Sequence, residues 1–194
     1  MEEFWTANPV AHSRVSQGTA ALSTWIFPSI SVLKINCDAS WTKQLGSTGF
    51  GVVIKDTSGS VMARNCGIET SSPALQAEAK AGVMAIQTTI HNNITNVIFE
   101  SNFTTLVASI NEDRRKANWS IFPLLHQIWN LRHHFSSFKW CWVPRQMNSA
   151  TVCVALQCKR EICSKVWVTK PPYGLVYILS IDGLPCPTNA LFGF

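Results

Sequence analysis

The strand that decides the fold reads VLKINCD at residues 32–38, and its apolar and polar side chains alternate strictly. Alternation with a period of two is typical of a β-strand, because successive side chains point to opposite faces of the sheet. The three apolar side chains, Leu33, Ile35 and Cys37, would therefore share one face. The opposite face would be polar and would end in Asp38.

Two further strands are predicted directly after this one. The apolar run GFGVVI at residues 49–54 leads into DTSG at residues 56–59, whose Asp, Ser and Gly favour a turn. The run SVMAR at residues 60–64 then returns to strand character. The sequence therefore predicts an antiparallel meander of three strands.

Helices and strands alternate in the rest of the chain. At residues 71–73 the sequence SSP combines a Ser cap with a first-turn Pro, and an Ala-rich helix is predicted from there to Ile90. Strand-type runs occupy residues 96–100 and 138–143, and helical patterns occupy residues 104–112, 119–135 and 148–160. The order βββαβααβα predicts an α/β fold, a mixed sheet with helices on its faces.

Length and composition indicate one domain. The chain has 194 residues, of which 46% are hydrophobic and 14% charged, enough for one buried core and too few charges for a disordered chain. We expect a lead-in segment at residues 1–31, a domain at 32–160 and an irregular C-terminal extension at 161–194. The net charge of +5 gives weak support for a polyanionic partner.

Cysteine usage and hydropathy narrow the class of protein further. The seven cysteines are odd in number and form no C-x-x-C pair, which disfavours a zinc site or a disulfide framework and favours small buried hydrophobes. The N-terminus does not resemble a signal peptide, and no stretch reaches the ~20 apolar residues of a membrane span. We expect a soluble intracellular monomer with no membrane partner, and the sequence does not distinguish nucleus from cytoplasm.

Two carboxylates stand out by position. Glu78 points along the apolar stripe of the long helix, so it either meets a cation or is a first-turn Glu favoured by the helix dipole. Asp38 ends a polar strand face, where β-propensity would not place a carboxylate. Together they could hold a hard divalent cation through oxygen ligands.

A family resemblance extends over about residues 32–160. The segments that carry it, in order, are KINCDASW at 34–41, GFGVVIKD at 49–56, AEA at 77–79, FESN at 99–102 and WVPR at 142–145 with Asn148. They resemble the ribonuclease H family, in particular the retrotransposon-derived reverse transcriptase-like domains of plants. The resemblance implies a five-stranded mixed sheet and Mg²⁺-dependent hydrolysis of the RNA strand of an RNA–DNA hybrid by two metal ions.

The family holds its metals with four carboxylates, and this chain matches only two of them. Asp38 and Glu78 match the first and second, Asn102 stands at the third, and Val152 aligns with the fourth. An amide oxygen can still bind a cation, whereas Val offers no ligand. The resemblance therefore assigns Asp38, Glu78 and Asn102 as catalytic and metal-binding residues, with Mg²⁺ binding and cleavage weakened or lost. Glu100, two residues before Asn102, is an alternative replacement ligand.

Binding could survive without cleavage, because hybrids are recognised through phosphates and helix shape. The basic side chains nearest the predicted site are those of Lys43, Lys139 and Arg145, and Arg145 also matches the family motif. Three tryptophans near the site could stack on bases, although core or rim packing is favoured: Trp41, Trp140 and Trp142. The histidines at 133 and 134 are interpreted as a solvated helix end. Two alternatives to the hybrid ribonuclease remain, a non-catalytic nucleic-acid-binding module and a degenerate retroelement remnant.

Overall fold

In the described part of the chain, five strands and five α-helices follow the predicted order, with one α-helix added at the end. The structure, a computed structural model, describes residues 26–41, 46–70, 72–112, 118–159 and 173–186. The strands are β1 Leu33–Trp41, β2 Ser47–Lys55, β3 Val61–Thr70, β4 Asn96–Ser101 and β5 Ser137–Trp142. The helices are α1 Ala74–His91, α2 Thr104–Asn111, α3 Phe122–Leu131, α4 Ser149–Lys159 and α5 Tyr173–Ile181. Within these described ranges, no helix combines the length and apolar character needed to cross a membrane.

The strands form one mixed sheet in the order β3-β2-β1-β4-β5. β1 pairs antiparallel with β2, and β2 with β3, as expected for a meander. β4 lies parallel to β1 and to β5, because a helix follows β3 and two helices follow β4 before the chain returns to the sheet. The predicted α/β architecture is confirmed. The domain boundaries at residues 31 and 160 stay predictions, since residues 1–25 and 160–172 lie outside the described part of the chain.

One face of the sheet carries an aromatic core under α1, α2 and α3. Ile35 and Cys37 of β1 point into it, as the alternation predicted, and both are fully buried. At its centre Phe99 stacks on Trp140 with ring centroids 4.9 Å apart. Gly82 of α1 makes room for that tryptophan, since a Cβ there would lie 3.2 Å from its Cη2 atom. Trp140 is therefore a core residue, as the packing interpretation predicted.

The polar face of β1 is buried rather than solvated. Lys34 forms an ion pair with Glu100 Oε1 at 2.5 Å, and Asn36 donates a hydrogen bond to Glu100 Oε2 at 3.0 Å. Lys55, directly opposite Lys34 in the antiparallel register, is also buried, and burial lowers its pKa to about 8 against the opposing charges of Glu100 and Asp182. Buried charges of this kind persist only when they are paired, so long-range partners stabilise this face.

Helix α4 rests directly on β2 through two glycines. A Cβ on Gly51 would lie 2.6 Å from the Thr151 carbonyl oxygen, and a Cβ on Gly49 would lie 2.3 Å from the Ala155 carbonyl oxygen. These contacts involve helix backbone, which cannot rotate away as a side chain can. The GFG motif therefore sets how closely α4 approaches the sheet.

The C-terminal extension is helical at residues 173–181, so the prediction that it is irregular is wrong there. Leu175 and Leu179, one helical turn apart, are buried against Val53 of the sheet and Val154 of α4. The run YGLVYILSI is almost wholly apolar, and such a run shows no amphipathic period that distinguishes a helix from other structure. Packing on α4 selects the helix.

Candidate active site

The three predicted metal-binding residues converge at the end of β1. Asp38 and Glu78 are both buried, and the Asn102 side chain faces Asp38 closely enough to lower the pKa of its carboxyl. Glu78 reaches the same point from α1, where the negative charge of Asp38 raises its pKa and the backbone N–H of Ala39 lowers it. β1 and β4 run parallel, so their ends meet at one edge of the sheet. The predicted convergence is confirmed, and the catalytic roles stay predictions.

Asn148 completes the cluster, although sequence reasoning placed it only in the family motif. It lies in a 3₁₀ turn at Arg145–Asn148 and is 1% exposed. Its Nδ2 atom donates to the Cys37 carbonyl oxygen at 3.0 Å and to Asn102 Oδ1 at 2.6 Å. This amide joins the start of α4 to the ends of β1 and β4.

The orientation of the Asn102 amide follows from this contact. Its oxygen accepts from Asn148, so its nitrogen is the end of the amide that faces Asp38. An aspartate at this position would present a second oxygen to Asp38 instead. In this chain a neutral donor therefore stands where the family resemblance implies an acid.

Arg145 is the basic residue that the structure brings to the site. Its exposed side chain lowers the pKa of both Asp38 and Glu78 through its positive charge. Lys139 is exposed on β5 and pairs with Ile98, four residues before Asn102, which is about 13 Å along a strand. Lys139 is therefore not brought to the cluster. Lys43 lies outside the described residues.

Glu100 does not take the place of a missing ligand. Its side chain points to the buried polar face of the sheet, where Lys34 and Asn36 each bind one of its carboxylate oxygens. Both oxygens are thus occupied by partners within the sheet. The hypothesis that Glu100 replaces an absent metal ligand is contradicted by these contacts.

The remaining site predictions concern α4 and the rim. Val152 is 9% exposed and lines a cleft together with Arg145, so it does not face open solvent. Its alignment with the fourth carboxylate of the family stays a prediction. His133 and His134 are exposed in the turn that ends α3, as predicted for a solvated helix end. Trp142 is half-exposed and donates from Nε1 to the Asn102 carbonyl oxygen at 3.1 Å, so this ring is partly fixed at the rim.

Both carboxyl groups hold their protons more tightly than usual. Burial raises the pKa of Asp38, and the charge of Arg145 and the Asn102 side chain oppose this shift only in part. Burial also raises the pKa of Glu78, and the negative charge of Asp38 raises it further. Two buried carboxylates this close do not both ionise readily without a cation.

The oxygen atoms of the site could provide some of the ligands for one metal ion, but they are too few for two. Asp38 Oδ1 and Glu78 Oε2 are buried atoms without a hydrogen-bond partner, which is the state expected of carboxylate oxygens that could bind a hard cation. Against this, the oxygen of Asn102 is bound by Asn148. In the part of the chain that the structure describes, no group of three or more His, Cys, Asp or Glu residues could hold a metal ion. The site therefore lacks ligands for the two Mg²⁺ ions that the resemblance implies.

We expect the stability of the metal-free chain to fall between about pH 4 and pH 9. The folded pKa values, about 7 for Asp38 and about 9 for Glu78, exceed those of the unfolded chain. Their contribution to stability is therefore complete below about pH 4 and is lost as the pH rises through the folded values. Urea unfolding at a series of pH values, without divalent cations, measures how the free energy of unfolding changes with pH.

The Asp38→Asn variant is the control for this pH dependence. It removes one titrating group and also the negative charge that raises the pKa of Glu78, so the fall in stability should be smaller. Lys55 acts in the opposite sense above about pH 8, because its folded pKa is lowered, and it is the same in both chains. Identical slopes for the two chains would contradict the expectation.

Comparison with known proteins identifies what the sequence and fold resemble. The reverse transcriptase-like family matches residues 36–158. No curated protein sequence is significantly similar to the chain. Among solved structures, ribonuclease H1 of the archaeon Halobacterium salinarum matches with a TM-score of 0.61 at 15% identity, covering 67% of this chain and 98% of that one.

Two further structures give the same result. The N-terminal ribonuclease H domain of a Mycobacterium tuberculosis protein, solved as a fusion with maltose-binding protein, has a TM-score of 0.61 at 18% identity, covering 67% of this chain and 94% of that one. LC11 ribonuclease H1, solved in complex with an RNA/DNA hybrid, has a TM-score of 0.60 at 16% identity, and the match covers 68% of this chain and 99% of that one. At these identities the likeness shows a shared fold, that of ribonuclease H.

Proposed function

The chain belongs to the reverse transcriptase-like family, and from this premise we propose that its ribonuclease H-like domain binds RNA–DNA hybrids or RNA and cleaves them weakly or not at all. The observation that carries the proposal is the hydrogen bond from Asn148 Nδ2 to Asn102 Oδ1 at 2.6 Å, which turns the nitrogen of the Asn102 amide towards Asp38. A hydrogen-bond donor, the Asn102 amide nitrogen, therefore occupies the position where the family resemblance implies a third carboxylate. The non-catalytic binding module is the limiting case of this proposal.

We assign binding of the nucleic-acid phosphates to Arg145, the exposed basic side chain at the site. Arg145 lies beside the buried carboxylates and is itself exposed, so a phosphate can approach its guanidinium. A backbone phosphate placed there would set the strand across the ends of β1 and β4. One LC11 ribonuclease H1 structure contains an RNA/DNA hybrid, which supports this substrate class for the fold. We propose that the domain binds as a monomer.

We expect Arg145→Ala to weaken hybrid binding on the order of tenfold, about 1.4 kcal/mol. The loss should be similar for different sequences, and the dependence of affinity on salt should become shallower by about one ion, because a phosphate contact reads no bases. Fluorescence anisotropy with a labelled hybrid at several salt concentrations measures both effects.

Two other cations serve as comparisons in the same assay. Arg132 is exposed at the far end of α3 and lies 5.8 Å from the Phe138 ring, so Arg132→Ala should leave binding unchanged. Lys139→Ala tests whether the contact surface extends along β5. If Arg145→Ala and Arg132→Ala behave alike, the assignment of Arg145 is wrong.

A cleavage assay with and without Mg²⁺ tests the catalytic half of the proposal. The unmodified chain should show little or no release of labelled fragments, and calorimetry should show weak Mg²⁺ binding that Asp38→Asn abolishes. Tight Mg²⁺ binding together with rapid cleavage would overturn this half and leave hybrid binding intact.

A further inference from the structure

A cleft lies between α4 and α5, with Arg145 at its edge. Its volume is about 480 Å³, within the range of roughly 300–1,000 Å³ that accommodates small organic ligands. Arg145 stands at the end nearest Asp38, and Gly174 and Ile178 of α5 form the far wall. Arg145, whose charge acts on Asp38 and Glu78, is thus the residue that the cleft shares with the site, and α5 forms its opposite wall.

The cleft has a charged end, apolar walls and polar groups within. Val152, Leu156 and Ile178 supply aliphatic surface, and no carboxylate is among the described residues that line the cleft. Ser149 and Gln157 add a hydroxyl and a side-chain amide to the lining. A ligand that covers these groups must pair with them, because a covered polar group without a hydrogen-bond partner costs free energy.

Two features of this sequence create the cleft. Val152 stands where the family resemblance places a carboxylate, so the wall beside Arg145 is apolar. Helix α5 supplies the opposite wall through Gly174 and Ile178. Val152 and α5 therefore both contribute apolar surface to the cleft.

We propose that this cleft binds a nucleobase whose attached phosphate is held by Arg145. The inference rests on the proposed function, because it uses the same arginine as the phosphate contact. A base supplies a flat apolar body and N–H donors for Gln157, and its phosphate supplies the anion. A fatty acid would match the walls and the arginine but would leave the polar groups of Ser149 and Gln157 covered without hydrogen-bond partners.

The same chemistry is present in a free mononucleotide and in an unpaired nucleotide of a strand. An unpaired nucleotide costs little to insert because it is already unstacked and unpaired. Within the proposed function, the domain would therefore prefer hybrids that contain an unpaired nucleotide over continuous ones. Experiments with a free mononucleotide and with a hybrid that contains an unpaired nucleotide distinguish the two ligands.

Protection of Cys153 tests the cleft directly. Cys153 lines it, whereas Cys66 on β3 is similarly half-buried and lies outside it. Saturating adenosine 5′-monophosphate should slow alkylation of Cys153 by iodoacetamide about fivefold, measured by mass spectrometry, and should leave Cys66 unchanged. N-acetyl-leucine, which also carries an apolar body, an N–H group and an anion, should protect less. Stronger protection by N-acetyl-leucine, or equal effects at both thiols, would overturn the proposal.

A second measurement uses hybrids with and without one unpaired 2-aminopurine. The unpaired form should bind about tenfold more tightly, and the ratio of the two affinities should fall to one in Ile178→Trp, which fills the cleft. Tyr177→Ala, on the exposed side of α5, should keep the ratio. Thermal unfolding checks that both variants fold, and the mononucleotide measurement on the unmodified chain does not depend on them.

The outcomes separate this inference from the proposed function. Binding of continuous hybrid with no preference for the unpaired base and no protection of Cys153 overturns the inference alone. Protection of Cys153 by the mononucleotide without any hybrid binding supports the cleft and overturns the proposed function.

Discussion

The double variant Asn102→Asp with Val152→Asp is expected to cleave RNA–DNA hybrids in Mg²⁺ at least on the order of 100-fold faster than the unmodified chain. Removal of one preorganised electrostatic group typically costs 10²–10³ in rate, and here two ligands are missing. Asn102→Asp would replace the amide donor facing Asp38 by a carboxylate oxygen. Val152→Asp would supply an acid from α4, beside Arg145.

Both substitutions are needed together. Mg²⁺ gives up its waters reluctantly, so a site with one added acid should still bind the second ion poorly. The single variants should therefore gain much less than the product of two independent effects would predict. A gel assay with labelled hybrid compares the four chains at equal concentration.

Stability provides a readout that does not depend on activity. Without Mg²⁺ the double variant gathers four carboxylates, so its free energy of unfolding at pH 7 should fall below that of the unmodified chain. Added Mg²⁺ should restore much of that loss by binding the folded state. Robust cleavage by the unmodified chain, abolished by Asp38→Asn, would show that the interpretation of the site is wrong.

Gly51→Ala is expected to destabilise the domain by about 3 kcal/mol, at the upper end of the usual cost of overpacking. The new Cβ would lie 2.6 Å from the Thr151 carbonyl oxygen and 2.8 Å from the Ala155 nitrogen, and both are backbone atoms. The strand and helix must separate to relieve the clash. Because α4 begins beside Asn148, this movement would also disturb the hydrogen bonds to Cys37 and Asn102.

Gly67→Ala is the matched control, on the neighbouring strand. Its Cβ would meet Met84 Sδ at 3.5 Å and Phe50 Cδ2 at 3.6 Å, which are ordinary contacts with side chains. Its effect should stay within about 1 kcal/mol. Urea unfolding measures both variants, because a shift of the midpoint at an unchanged denaturant slope reports a change in the free energy of unfolding. Equal losses of stability in Gly51→Ala and Gly67→Ala would contradict the close packing of the α4 backbone on β2.

Between residues 32 and 160 the sequence alone determined the elements and their order, whereas helix α5 was not predicted. Strand β1 was predictable because alternation is a property of neighbouring residues, and α1 was predictable from its Ala-rich run. The predicted Ser cap and first-turn Pro of α1 were wrong, since Pro73 is the N-cap and no side-chain hydrogen bond caps the helix. The positions of Asp38 and Glu78 follow from these two elements. Their convergence was predictable only through the order of the family motifs, because no local pattern fixes the distance between a strand and a helix.

Only the tertiary structure decided the partners of the polar groups. Glu100 looked available as a ligand until Lys34, 66 residues earlier in the chain, was found to bind it. The Asn102 amide takes its orientation from Asn148, and α5 is a helix because it packs on α4. Local periodicity shows which face of an element a side chain occupies. Which group it meets there depends on residues far away in the sequence, and that choice determines whether a carboxylate is free to bind a metal.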